Sequence, residues 1–171
     1  MNYKLRLLAF STLILAAACA SPDRFNDGAG GVDPGTIPGA GGLDDASNPA
    51  SPAFFQQTIG DRVFFVVDQS TLSDEAKVTL AAQADWLLTN SDYQAIIEGH
   101  ADEQGTTEYN IALSGRRANA VREFLIERGI AGNRLRTLPL GKERPAELCA
   151  AESCYSKNRR AVTIISTGAV S

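Results

Sequence analysis

Tyr93-Gln94-Ala95-Ile96-Ile97-Glu98, followed by Gly99-His100-Ala101-Asp102-Glu103-Gln104-Gly105-Thr106, is the stretch on which the fold turns. The first six residues hold Ala95, Ile96 and Ile97 between polar ends and read as a strand. The polar, glycine-containing residues from Gly99 to about Thr107 read as a loop. Beyond them Leu113, Val121, Phe124 and Leu125 fall on one helical face, and Gly129 supplies a C-terminal stop. A junction from strand to loop to helix is where α/β folds place ligands, outside the carboxyl end of the strand.

Upstream, Val63-Phe64-Phe65-Val66-Val67 is a short apolar run of β-formers and is expected as a buried strand. Ser73 offers an N-cap, with Asp74 and Glu75 at the positive end of a helix. Ala76, Leu80, Ala84, Leu87 and Leu88 recur at helical spacing, and Asn90-Ser91-Asp92 ends the element. Downstream, Arg134 to Gly141 is expected as a third strand, with Pro139 marking an edge or an exit. A loop follows, and Arg160 to Ser166 alternates as a fourth strand. The order β-α-β-α-β-β defines an α/β fold of the α+β kind, a two-layer sandwich.

The N-terminus reads as an address. Residues 1–18 carry Lys4 and Arg6, then an apolar run from Leu7 to Leu15, then Ala16-Ala17-Ala18, the layout of a secretory signal. The run is too short to stay as a spanning helix, which needs about 20 apolar residues. Leu15-Ala16-Ala17-Ala18-Cys19 resembles a lipobox, in which the cysteine is acylated and becomes the mature N-terminus. It departs from the usual form in having Ala16 where an aliphatic residue is common, and an ordinary signal peptide with an incidental cysteine is the alternative. Ala20 and Ser21, rather than an Asp, follow Cys19 and by the same resemblance point to the outer membrane.

Residues 19–53 then form a lipidated N-terminus and a flexible tether, and 54–171 the folded domain. The tether is rich in Gly, Pro, Asp, Ala and Ser, as in Pro38-Gly39-Ala40-Gly41-Gly42, with no hydrophobic period to offset the entropy of ordering it. A coil of about 30 residues spans roughly 30 Å on average. Such a tether suits a domain that must reach something away from the membrane, which favours a binding module over an enzyme.

The chain of 171 residues carries a formal charge of −4, which excludes the Lys/Arg excess on which nucleic-acid affinity rests. Cys149 and Cys154 are an even pair once Cys19 is committed to lipid, and in an exported protein they read as a disulfide; two free thiols are the alternative. Two cysteines and a distant His100 do not complete a metal site, so no metal is expected. Nor is there a nucleophile with a base, or a phosphate-cradling glycine loop, so the chain is not expected to be an enzyme.

Leu113, Arg117, Val121 and Leu125 are spaced at four-residue intervals along one side of the second long helix. Arg117 therefore lies on the apolar stripe and needs an anion, because an unpaired buried charge is costly. On helical geometry alone, a structural salt bridge to a nearby Asp or Glu accounts for it better than a ligand does. Asp102 in the first loop and Asp68 after the first strand lie at the same end of the sheet. An aspartate and an arginine in one cleft suit a zwitterion, each charge reading its opposite. His100 reads as a structural histidine rather than a base.

Several separated motifs then carry a family resemblance. Glu98 to Thr106, Glu108-Tyr109-Asn110-Ile111-Ala112-Leu113-Ser114 and Arg116-Arg117-Ala118-Asn119-Ala120-Val121 resemble the OmpA-like peptidoglycan-binding signature. Ala101-Asp102-Glu103, Gly141-Lys142-Glu143-Arg144-Pro145 and Tyr155-Ser156-Lys157-Asn158-Arg159-Arg160-Ala161-Val162 are similar to the form found in peptidoglycan-associated lipoproteins. The resemblance runs from about Arg62 to Ile165 and implies a mixed four-stranded sheet. It also implies non-covalent binding of the wall's peptide stem through diaminopimelate. Asp102 would take the ligand's ammonium, Arg117 its carboxylate, Asp68 would line the pocket and Leu113 would form an apolar wall. The implied partners are peptidoglycan, the periplasmic propeller TolB and other Tol proteins, with a part in envelope integrity and in constriction at division. No cofactor is implied beyond the lipid on Cys19. A peptidoglycan-cleaving enzyme and a purely structural lipoprotein, with Asp102 and Arg117 as a salt bridge, are the competing readings. The cysteine pair lies outside the family pattern.

Overall fold

In a computed structural model, which describes residues 45–167, one mixed sheet carries strands β1 (Arg62–Phe64), β2 (Tyr93–Gly99), β3 (Leu135–Pro139) and β4 (Arg160–Thr167). Their order across the sheet is β1-β4-β2-β3; β4 runs antiparallel to both neighbours, and β2 and β3 are parallel. Parallel neighbours need a crossover, and helix α3 (Thr107–Glu127) supplies it. Helix α2 (Asp74–Thr89) connects β1 to β2. Cys19, the signal segment and most of the tether lie outside the described residues.

Local chemistry sets the element ends. The Ser73 hydroxyl accepts from the Ala76 N–H at 3.1 Å, and the Thr106 hydroxyl from the Tyr109 N–H at 3.2 Å, so both long helices start on the side-chain cap that their free N–H groups require. Helix α3 stops at Gly129, whose φ of 100° lets the Ile130 N–H turn back to the Leu125 carbonyl at 3.1 Å. The strand register puts Val63 beside Ala161, Ile97 beside Thr163 and Ala95 beside Ile165. That face packs with Leu80, Leu87, Val121, Leu125 and Ile130 into the main apolar core.

The first strand is shorter than the apolar run suggests. Strand β1 ends at Phe64; Phe65 still donates to the Arg159 carbonyl, but Val66 and Val67 are 59% and 40% exposed. The Val66 carbonyl is bonded by the Gln69 N–H and by Arg117, both at 3.2 Å, so its hydrogen bond is made off the sheet. Asp68 then turns the chain with φ 55°. The third strand likewise covers only Leu135–Pro139. Arg134 belongs to a 3-10 turn, where it donates to the carbonyls of Leu87, Asn90 and Tyr93 and ties α2 to the start of β2.

Two helices were not legible. Helix α1 (Pro52–Phe54) begins at a Ser51 cap and continues as a π-helical turn, Phe55–Gly60. Phe55 meets Trp86 edge-on with ring centroids 5.0 Å apart, and the Trp86 indole donates to the Pro49 carbonyl at 2.7 Å. Thus residues grouped by composition with the tether complete a tertiary contact, and Trp86 takes the buried place on α2 while Leu88 is half-exposed. Helix α4 (Glu152–Asn158) lies in the expected loop before β4. Its seven residues are too few to show a period, and its N-cap, Ala151, has no capping side chain.

Candidate functional site

Gly99 ends β2 where α3 crosses it. A Cβ there would stand 1.9 Å from the Ser114 carbonyl oxygen, so only glycine allows the helix this close. From this crossing the loop Gly99–Thr106 is pinned by its backbone: His100 donates to the Arg160 carbonyl at 2.9 Å and Ala101 to the Gly141 carbonyl at 2.8 Å. Asn110, buried in the first turns of α3, donates to the carbonyls of Asp102 and Gln104 at 3.3 and 2.9 Å. The loop's backbone is thus hydrogen-bonded from β4, from the chain after β3 and from α3.

Asp102 is buried in that loop. One carboxylate oxygen accepts from the Gln104 N–H at 3.1 Å, and the other lies 3.1 Å from Nη1 of Arg159, also buried. Arg117, at 0% exposure, does not pair with Asp102. Its Nε donates to the Gln69 carbonyl at 2.9 Å, Nη1 to the His100 carbonyl at 2.8 Å and Nη2 to the Val66 carbonyl at 3.2 Å, with its head 5.2 Å from the Phe65 ring centre. One guanidinium thus joins the chain leaving β1 to the chain leaving β2. The competing reading of Asp102 and Arg117 as a salt bridge does not hold, since the carboxylate's ion pair is with Arg159. Neutral carbonyls suffice for Arg117 because their oxygens match a donor fork as an anion does.

A guanidinium has five N–H donors, so the three bonds of Arg117 leave one on each Nη. Burial pushes its pKa down to about 10, reinforced by Arg159 and opposed by Asp102, Asp68 and Tyr109, so it stays cationic at neutral pH. Those opposing groups put the candidates within one electrostatic neighbourhood. Asp68 is exposed, and its carboxylate accepts from the Tyr109 hydroxyl at 3.2 Å. Leu113, one turn before Arg117, is buried but separate from the main core cluster. His100 is buried and held neutral, its pKa pulled down to about 4 by burial and by Arg160 and Arg144. Its backbone, more than its ring, shapes the site.

Sequence reasoning missed Arg159, Glu152, Tyr109 and Asn110. Glu152 bonds both Nη1 and Nη2 of Arg159, sharing Nη1 with Asp102, and lies in the loop closed by the Cys149–Cys154 disulfide, whose Cα atoms are 5.8 Å apart. The Asn158-Arg159-Arg160 run was the only signal for Arg159; both arginines are buried, and nothing in the run says which of them meets Asp102. Among the described residues no cluster of His, Cys, Asp or Glu could hold a metal ion, and no helix is long and apolar enough to cross a membrane. A groove along β1, lined by Phe64, Val66, Glu75 and Lys157 among others, contains none of Asp68, Asp102, Leu113 or Arg117.

Fold and site together define an α/β sandwich of the OmpA type, and residues 64–159 match the OmpA family. The C-terminal domain of Helicobacter pylori MotB, 20% identical, shares the fold with a TM-score of 0.59 over 64% of this chain and 86% of that one. Full-length relatives narrow the assignment. The peptidoglycan-associated lipoprotein of Mesorhizobium japonicum is 46% identical over 160 residues, 94% of this chain and 90% of that one. Its counterpart in Brucella melitensis is 45% identical over 158 residues, 92% and 89% of the two chains. The crystal structure of the Burkholderia pseudomallei peptidoglycan-associated lipoprotein, 31% identical, superposes with a TM-score of 0.64 over 68% of this chain and all of that one. The chain belongs to the peptidoglycan-associated lipoproteins of the OmpA family.

Proposed function

We propose that this protein is a non-catalytic outer-membrane lipoprotein whose folded domain grips the peptide stem of peptidoglycan. The observation that carries the reading is that one end of the sheet holds a buried carboxylate, Asp102, and a buried guanidinium, Arg117, that are not bonded to each other. Asp102 takes the ammonium of a diaminopimelate centre, and the two remaining N–H groups of Arg117 take its carboxylate. Asp68 lines the entrance and Leu113 the apolar wall. The contacts of Asp102 and Arg117 are charge-assisted hydrogen bonds, each worth about 1.5–3 kcal/mol.

Cys19 carries the lipid, and the tether lets the domain face the periplasm and reach the wall. The family relationship supports a place in the Tol-Pal system, with TolB and other Tol proteins as partners and a role in envelope integrity and constriction at division.

Co-sedimentation of the full-length protein with purified sacculi tests the site. Wild type is expected in the pellet, and free diaminopimelate should compete it off. Asp102→Asn, which keeps shape and loses charge, should bind at least about tenfold more weakly. Arg117→Ala also removes three bonds to the backbone, so its binding is read only beside an unfolding curve. Undiminished binding by folded Asp102→Asn would overturn the assignment, and release of soluble wall fragments would overturn the non-catalytic reading.

A further inference from the structure

Arg159 is shared between two carboxylates. Its Nη1 lies 3.1 Å from Asp102 and 3.3 Å from Glu152, its Nη2 bonds the other Glu152 oxygen, and its Nε donates to the Phe65 carbonyl at 3.2 Å. Arg159 is 4% exposed, whereas the Glu152 side chain is 65% exposed. Burial alone therefore does not hold Glu152 there; the hydrogen bonds to Arg159 do, and they also keep its carboxyl below the ordinary range. The backbone presents it. Glu152 opens α4 inside the loop closed by Cys149 and Cys154, and the Cys154 N–H folds back to the Ala151 carbonyl at 3.0 Å.

This arrangement has an electrostatic consequence at Asp102. A carboxylate and a guanidinium alone form a neutral pair, with little field left for an incoming cation. A second carboxylate on the same guanidinium leaves these three groups with one net negative charge, while the nearby Arg117 and Asp68 are opposite in sign to each other. It also engages Nη2, so Asp102 receives a single N–H from Arg159 instead of a fork. With the Gln104 N–H, that fills two of the roughly four acceptor positions of the Asp102 carboxylate.

We propose that Glu152, presented by the Cys149–Cys154 loop, is a positioning and specificity residue for the cationic end of the wall ligand: it occupies Arg159 so that Asp102 stays available to an ammonium. The proposal rests on the wall-binding reading above, because it needs Asp102 as the ammonium receptor.

The test titrates full-length protein in detergent onto two substrates, native sacculi and sacculi whose free amino groups have been acetylated. Glu152→Gln should bind native sacculi about fivefold more weakly than wild type, the scale of one partly screened ion pair. Glu152→Asp should recover part of the loss, and Cys149→Ser/Cys154→Ser should show part of it. On acetylated sacculi, which offer no ammonium, wild type and Glu152→Gln should bind equally weakly. A merely structural role for Glu152 would weaken both substrates alike, and that result overturns the proposal, as does unchanged binding of Glu152→Gln to native sacculi. Failure of wild type to bind native sacculi, or full binding by Asp102→Asn, would instead sink the wall-binding reading and this inference with it.

Discussion

Arg117 and His100 show how burial and function trade places at single positions. The guanidinium is fully buried, yet it holds three carbonyls and keeps two donors. His100 lies beside it in the loop as a neutral ring, 3.5 Å from Glu98. Its folded pKa of about 4 lies below the ordinary 6.5, so between those values the unfolded chain binds a proton that the folded chain refuses. The stability this contributes is complete above pH 6.5 and is lost as the pH falls towards 4, roughly 3 kcal/mol in all. Urea unfolding of wild type and His100→Asn at pH 7 and pH 4.5 should show it. The variant should lose about 2 kcal/mol less on acidification, because it has no such proton to refuse. Parallel losses in the two proteins would mean that His100 titrates normally in the fold.

At the scale of elements, the contact of β2 with α3 decides where the site can be. Both long helices are placed by caps that any reader of the sequence can find, but their distance from the sheet is set by one missing side chain at Gly99. Gly99→Ala should cost more than about 3 kcal/mol in chemical unfolding, since the atom it meets is backbone and cannot rotate away. Gly115→Ala, in the interior of α3, is the matched control. Its new Cβ would meet only Pro139, at 3.7 Å, and it should stabilise by up to about 1 kcal/mol. If the two substitutions cost the same, the crossing is not the constraint it is taken to be.

For the whole molecule, the proposed division of labour is an anchor, a tether and a binding domain. Since the residues of the proposed site lie between Asp68 and Arg159, removing the anchor should leave it intact. Cys19→Ser is expected to shift the protein from the membrane pellet to the soluble fraction, with its affinity for isolated sacculi unchanged. Fractionation and co-sedimentation of the same preparation check both halves. Retention of Cys19→Ser in the membrane would show that attachment does not run through a lipid on this residue.

Periodicity and capping determined α2, α3, β2 and β4 to within a residue or two, because those signals act over a few neighbours along the chain. The strand-loop-helix junction carrying Asp102 and Arg117 was legible for the same reason, and the family motifs supplied their expected roles. What lay beyond the sequence depended on partners far apart in it. The early exit of β1, the helix at Pro52–Phe54 and the pairing of Asp102 with Arg159 each rest on contacts between residues that only the tertiary structure brings together. Helical geometry predicts that Arg117 faces inward. It could not decide between carbonyl, carboxylate and ligand as its partner, because a guanidinium accepts all three and only the packed fold offers one of them first.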